Sequence, residues 1–378
     1  MNRISYFLLM FFGFLASAVA QTASKATITI SNASKIQRSD AVVAVKWSEV
    51  TAKYPGIDTG NFKVIDLSTK KEVPFQLEFL GQKVVQNLLV QVSLTANSSV
   101  KLSVVPGKPS AVVKKTYARF VPERFDDFAW ENDKVAFRMY GKALETRKDN
   151  AFGTDVWGKR TTKLVINNWY KSGDYHTDHG EGMDYYSVGL TLGAGDIAPF
   201  VKDSIYFSKN YHHWKVLDNG PLRSTFQLGY DEWNVAGKAV TVTKTISLDA
   251  GSHLNRVEVK YTYAGEEALP VVIGIVKRKE PGTMLMNELQ GVMGYWEPRH
   301  GADGITGVGI LVPGDTLVMN TDRKHLLSHT TIKSGQPFAY YNGAAWDKAK
   351  EITSATAWFE YLNNYKQKLQ QPLVVSVQ

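Results

Sequence analysis

The 378-residue chain contains no cysteine. That removes disulfides, thiolate nucleophiles and a lipid-carrying N-terminal cysteine together. The folded state must then rest on buried apolar area, which a chain of this length can supply. Long charge runs are also missing. The 44 Lys and Arg against 36 Asp and Glu give a formal net charge of +8, yet no cationic run exceeds Lys277-Arg278-Lys279. Nucleic-acid binders concentrate such charge on one face or stripe, so no nucleic-acid partner is expected. A spread-out positive field suits attraction of an anionic substrate. There is no G-x-S-x-G elbow and no P-loop, and the Gly-rich "GLTLGAGD" at 189–196 has no βαβ context around it. Only one long apolar run occurs, directly after Met1-Asn2-Arg3 and ending in Ala18-Val19-Ala20. It is short for a membrane span and reads as a secretory signal over residues 1–20. The expected product is exported, periplasmic and free of membrane spans.

Helical periodicity is scarce. From Ala26 to about Val105, short alternating segments such as "ATITISN", "AVVAVKW" and "VQNLLVQVSL" recur between polar turns. This spacing predicts a small β-sandwich over residues 21–110. Residues 106–116, "GKPSAVVKKTY" from Gly107 onward, read as a linker or crossover. The remainder, 111–378, carries longer alternating or β-branched stretches and predicts a large antiparallel β domain. One amphipathic segment, 356–372, reads as a C-terminal helix: Trp358, Tyr361, Leu362 and Tyr365 share a face and Pro372 ends it. The fold class is all-β, in two domains.

Chemistry-bearing residues crowd into "YHTDHGEGMDYYSVG", residues 175–189. Tyr175, His176, His179, Tyr185 and Tyr186 offer imidazoles and phenols, and Gly180 and Gly182 permit a tight fold. Two readings stand. The loop moves protons, or His176, His179, Glu181 and Asp184 hold a divalent metal such as zinc. The H-x-x-H-x-E spacing departs from the helical H-E-x-x-H pattern. Further along, His212 and His213 precede Trp214; on a strand only one of the two histidines can face a cleft, and Trp214 shares its side with His212. Arg278 falls on the same side as Gly274, where a missing side chain is expected to leave room for a ligand, and a guanidinium can grip a carboxylate through two parallel hydrogen bonds. Lys277 adjoins it. Arg299 and His300 lie in a Gly-rich stretch beside Tyr295 and Trp296.

Four stretches taken together resemble a known family: "RFDDFAWENDKVAFRMYG" (124–141), "DYHTDHGEGMDYYSVGLTLGAG" (174–195), "VLDNGPLRSTFQLGYDEW" (216–233) and "YYNGAAWDKA" (340–349). The family comprises exported bacterial proteins encoded with polysaccharide-degrading enzymes, long catalogued as a domain of unknown function. One branch is similar to ulvan-active oligosaccharide dehydratases. The resemblance covers residues 115–378 and implies a supersandwich-like large domain. It implies removal of water from a glucuronate at the non-reducing end of an ulvan fragment, leaving a 4,5-unsaturated uronate. Such chemistry needs a neutralised carboxylate, a base for the C5 proton and an acid for the departing C4 hydroxyl. On this reading Arg278, His176, His179 and Tyr186 are the catalytic candidates. Tyr175, His212, Trp214, Lys277, Arg299 and Trp346 are the sugar-binding ones. No cofactor is required, a divalent metal stays open, and the partner is an anionic, uronate-containing oligosaccharide. A polysaccharide lyase, a hydrolase of unsaturated uronates and a non-catalytic sugar-binding protein remain as alternatives.

Overall fold

The computed structural model describes residues 25–313 and 318–378; the signal read at 1–20 lies outside the described residues. Alternation makes the first strand. In Ala26–Asn32 every second residue is buried, so Ile28 and Ile30 point inward and the threonines between them do not. This strand sits in a four-stranded sheet ordered Val374–Val377, Ala26–Asn32, Ser98–Pro106, Phe62–Asp66. A three-stranded sheet of Arg38–Lys46, Asn87–Leu94 and Phe75–Glu78 faces it across Val45, Phe62, Leu88, Val90 and Leu102. The last strand of the chain therefore completes the first domain: Ile28 lies opposite Val377. Residues 108–115 have no regular structure, as the Pro, Gly and Lys content predicts.

The large domain is two opposed layers. One is an eight-stranded antiparallel sheet in the order His213–Asn219, Arg223–Val235, Lys238–Asp249, Leu254–Tyr263, Pro337–Trp346, Thr306–Leu311, Val292–Trp296, Thr283–Asn287. The other is made by two five-stranded sheets. The first runs Thr116–Val121, Asp127–Asn132, Val135–Met139, Asp155–Lys159, Gly182–Met183; the second runs Ser204–Ile205, Ala194–Val201, Leu269–Val276, His325–Ile332, Val318–Thr321. A bridge between Thr154 and Gly193 joins them. Phe128, Trp130 and Phe137 from the first, Ile197 and Ile273 from the second, and Phe226, Val257 and Tyr340 from the eight-stranded sheet form one core. The all-β expectation holds.

The predicted helix is Ala355–Gln370, and Ser354 accepts a hydrogen bond from the Ala357 N–H at its start. It lies on the outer face of the eight-stranded sheet because that face is stripped of side chains there. A Cβ on Gly309 would stand 2.5 Å from Leu362 Cδ2, and one on Gly294 2.9 Å from Phe359. The two domains are joined by polar contacts: Arg223 bonds both Glu78 and Asp249, and the Asp218 carboxylate accepts from the Phe79 and Leu80 N–H groups.

Candidate active site

The strand Leu269–Val276 of one layer and the strand Val292–Trp296 of the other end at the same rim of the large domain. The chain segments leaving them form two walls of a cleft of about 390 Å³. Lys277, Arg278 and Lys279 line one wall, Glu297, Arg299 and His300 another, and Tyr185 and Ser187 the third. Alternation explains who faces inward: Tyr295 continues the core, Trp296 points to the helix side, and Glu297 returns to the Tyr295 side. The Arg278 N–H donates to the Tyr295 hydroxyl at 3.3 Å, which seats the arginine over the same face.

Arg278 Nε donates to Glu297 Oε1 at 2.6 Å and Nη1 to the Ser187 carbonyl at 2.6 Å, and its guanidinium lies 4.4 Å over the Tyr186 ring. Glu297 is 6% exposed. Burial outweighs the pull of Arg278 and lifts its carboxyl to about 7, so it exchanges a proton near neutral pH. His300 stacks on Tyr185 at 5.5 Å between ring centroids, and its Nδ1 donates to Asp303 at 2.9 Å. That bond leaves Nε2 as the ring nitrogen for proton exchange. Tyr185 also bonds Thr306 at 2.6 Å. No ion pair engages Lys277 or Lys279 among the described residues, and Arg299 meets Asp347 only loosely, at 3.4 Å. The cleft thus offers an anion four cationic side chains, Lys277, Arg278, Lys279 and Arg299, and two acids, the buried Glu297 and Glu280.

Arg278, Lys277 and Arg299, three of the residues singled out from sequence, come together in this cleft. Two details differ from the sequence reading. The space beside Gly274 is taken by Leu192 and Leu327, a Cβ there lying 2.5 Å from Leu192 Cδ1, so no ligand fits. The fork of Arg278 is already spent on Glu297 and Ser187, so the lysines and Arg299 must meet much of an incoming charge. Tyr186 is buried beneath Arg278 with no partner for its hydroxyl. Trp346 is also buried; its Nε1 donates to the Asp303 carbonyl at 2.8 Å, supporting the His300 loop from below.

The other candidates lie elsewhere. Residues 173–184 cover the outer face of the first five-stranded sheet, where Tyr175 stacks on Trp157 and accepts from Arg124 Nε at 3.1 Å. His179 is exposed and meets Asp174 at 2.9 Å; Glu181 pairs with Lys163, and His176 Nδ1 donates to the Asp184 carbonyl at 2.8 Å. Asp184 itself turns into the protein toward Arg138. Among the described residues no three His, Asp or Glu side chains group as ligands for one ion. Those four residues do not fit a divalent metal. His212 sits between Glu145 and Asp231, and Trp214 stacks on Phe120 with about half its surface open. Both stand at the start of the edge strand His213–Asn219, across the width of the eight-stranded sheet from the cleft.

Glu297 was not singled out from sequence. The available signal was an acid inside "YWEPRHGADG", two residues before Arg299.

The fold is similar to that of two solved proteins of Enterococcus faecalis. One is an alpha-mannosidase from strain V583, with TM-score 0.51 and 10% identity over 94% of this chain and 46% of that one. The other is a protein in the glycosyl hydrolase family 38, with TM-score 0.52 and 10% identity over 93% and 47%. The chain spans less than half the length of either, and at this identity the likeness is one of fold. A curated relative, "Uncharacterized protein P7" of Formosa agariphila, is 31% identical over 386 residues, 96% of each chain. Residues 30–375 match a single family model, which reaches across the small sandwich as well as the large domain; the chain belongs to the family described as "Domain of unknown function (DUF4861)".

Proposed function

We propose that the cleft binds the uronate end of an anionic oligosaccharide and eliminates water from it. The observation that carries this reading is Glu297, a buried acid poised near neutral pH, standing in a cleft whose walls carry Lys277, Arg278, Lys279 and Arg299 against one other acid, Glu280. A fold shared with an alpha-mannosidase and a glycosyl hydrolase supports a carbohydrate as substrate class. The four motif stretches support the finer assignment, a glucuronate at the non-reducing end of an ulvan fragment.

The lysines and Arg299 neutralise the substrate carboxylate, which makes the C5 proton removable. His300 Nε2 accepts that proton while Asp303 holds the imidazole through Nδ1. The C5–H electron pair becomes the C4=C5 double bond. Glu297 gives its proton to the departing C4 hydroxyl, which leaves as water. Arg278 keeps Glu297 seated and, by stabilising the carboxylate left behind, favours release of that proton. The apolar leader pattern at residues 1–20 supports a periplasmic setting for the reaction.

The test is to incubate the protein with ulvan oligosaccharides and follow absorbance near ~235 nm, where conjugated enol-uronates absorb, with product mass, as general acid–base elimination requires. Loss of one water without chain cleavage supports the proposal. Shorter fragments with new absorbance make the protein a lyase instead, cleavage without absorbance a hydrolase, and no change a binding protein.

A further inference from the structure

We propose that Arg138, clamped between Asp155 and Asp184, is a positioning residue for the cleft: it fixes the point from which Tyr185, Tyr186 and Ser187 enter it. The inference rests on the cleft being the reaction site. Arg138 touches nothing in the cleft itself.

Arg138 lies on Val135–Met139, directly across from Asp155 in the sheet register. Its Nη2 stands 2.6 Å from Asp155 Oδ2 and 3.0 Å from Asp184 Oδ2, and Asp127 lies 3.8 Å from Nη1. All four side chains are buried. Asp155 and Asp127 come from the sheet and give the one guanidinium two carboxyl partners before Asp184 is added; burial pushes all three carboxyls up. Burying a third acid there is costly. The polar groups are poorly satisfied as well: Arg138 Nε and Nη1, Asp127 Oδ1 and the Tyr186 hydroxyl all lack partners.

Asp184 is gripped at three points. Its N–H donates to the Tyr175 carbonyl at 2.8 Å, its carbonyl accepts from His176, and its carboxylate meets Arg138. Of the next three residues, Tyr185 and Ser187 line the cleft and Tyr186 lies beneath its wall. Tyr185 stacks on His300, Tyr186 lies under Arg278, and the Ser187 carbonyl receives Arg278 Nη1. One short segment is thus pinned at Arg138 on one side and at Arg278 on the other, and the crowding of 175–189 divides at Asp184 into an anchor and a wall.

The test compares Asp184→Asn with Glu131→Gln. Glu131 belongs to the same sheet and pairs in equal burial with Lys159 at 2.6 Å, but its other partners are the Val165 and Ile166 N–H groups. In Asp184→Asn, hydrogen exchange over residues 183–190 should quicken at least tenfold while Leu269–Val276 and Val292–Trp296 stay protected. With uronate oligosaccharide, kcat should fall at least tenfold and KM change less than threefold, because Lys277, Lys279 and Arg299 stand on other elements. Glu131→Gln should leave exchange over 183–190 and kcat within twofold of wild type. Equal effects of the two variants on kcat, or unchanged exchange in folded Asp184→Asn, would overturn the inference. If Asp184→Asn fails to fold, Arg138→Lys replaces it, with the same expectation and the same refutation. Should the wild type act on no uronate at all, the functional reading fails, and the exchange comparison still decides the anchor.

Discussion

Replacing Glu297 by Gln tests the centre of the proposal with the smallest change of shape. The amide cannot exchange a proton, and loss of a general acid lowers turnover by about 10²- to 10⁴-fold, roughly 2.7–5.4 kcal/mol of barrier. The same group makes a second forecast, about stability. Burial raises its pKa from 4.5 to about 7, so between those values the folded protein holds a proton that the unfolded chain releases. Stability on this account is greatest below 4.5 and declines as pH rises to about 7, by about 3 kcal/mol at most. Glutamine never ionises and escapes that decline. Thermal melts of the variant relative to wild type should therefore improve from pH 5 to pH 8, while the wild-type profile of kcat/KM loses its inflection near 7 in the variant. The assay is elimination followed by absorbance and mass, with melts run on the same samples. Turnover of Glu297→Gln within threefold of wild type, with the inflection intact, would refute the assignment of this carboxyl as the acid.

Other outcomes follow from the same geometry. Arg278→Ala removes the partner that seats Glu297 and the contact to Ser187, and initial-rate kinetics should show a loss of about thirty- to a thousand-fold. His179→Ala should leave turnover within twofold, since the ring lies exposed on Asp174 away from the cleft. Dialysis against a chelator should leave turnover unchanged for the same reason: Glu181 and Asp184 are already engaged by Lys163 and Arg138. Gly309→Leu should lower the melting transition markedly, because even a Cβ there would press on Leu362 and lift the C-terminal helix; such overpacking costs about 1–3 kcal/mol, read in a denaturant titration.

Strands were legible from sequence where alternation is local. "ATITISN" coincides with Ala26–Asn32, and the helix face of Trp358 and Leu362 is the buried one. Pairing was not, because nothing in residues 374–377 names Ala26–Asn32 as their partner. The site was half legible for the same reason. Arg278, Lys277 and Arg299 stood out as charges beside strand ends. Glu297 reads as an ordinary loop acid, and its character comes from burial, which outweighs the opposing pull of Arg278 from a segment distant in the chain. The density of 175–189 divides in the structure: its first part fastens a loop to a sheet and only its end faces the candidate cleft.

The pairing of Ala26–Asn32 with Val374–Val377 also fixes an order of events during synthesis. Among the described residues, Ala26–Asn32 emerges well before its partner Val374–Val377 and must wait for it, leaving one side of its ladder open in the interval. Such an unpaired edge invites wrong partners. A chain held unfolded until it is complete would avoid this hazard, whereas one that folds as it emerges would meet it with every copy. Removing the last strand should therefore harm the beginning of the protein more than its end.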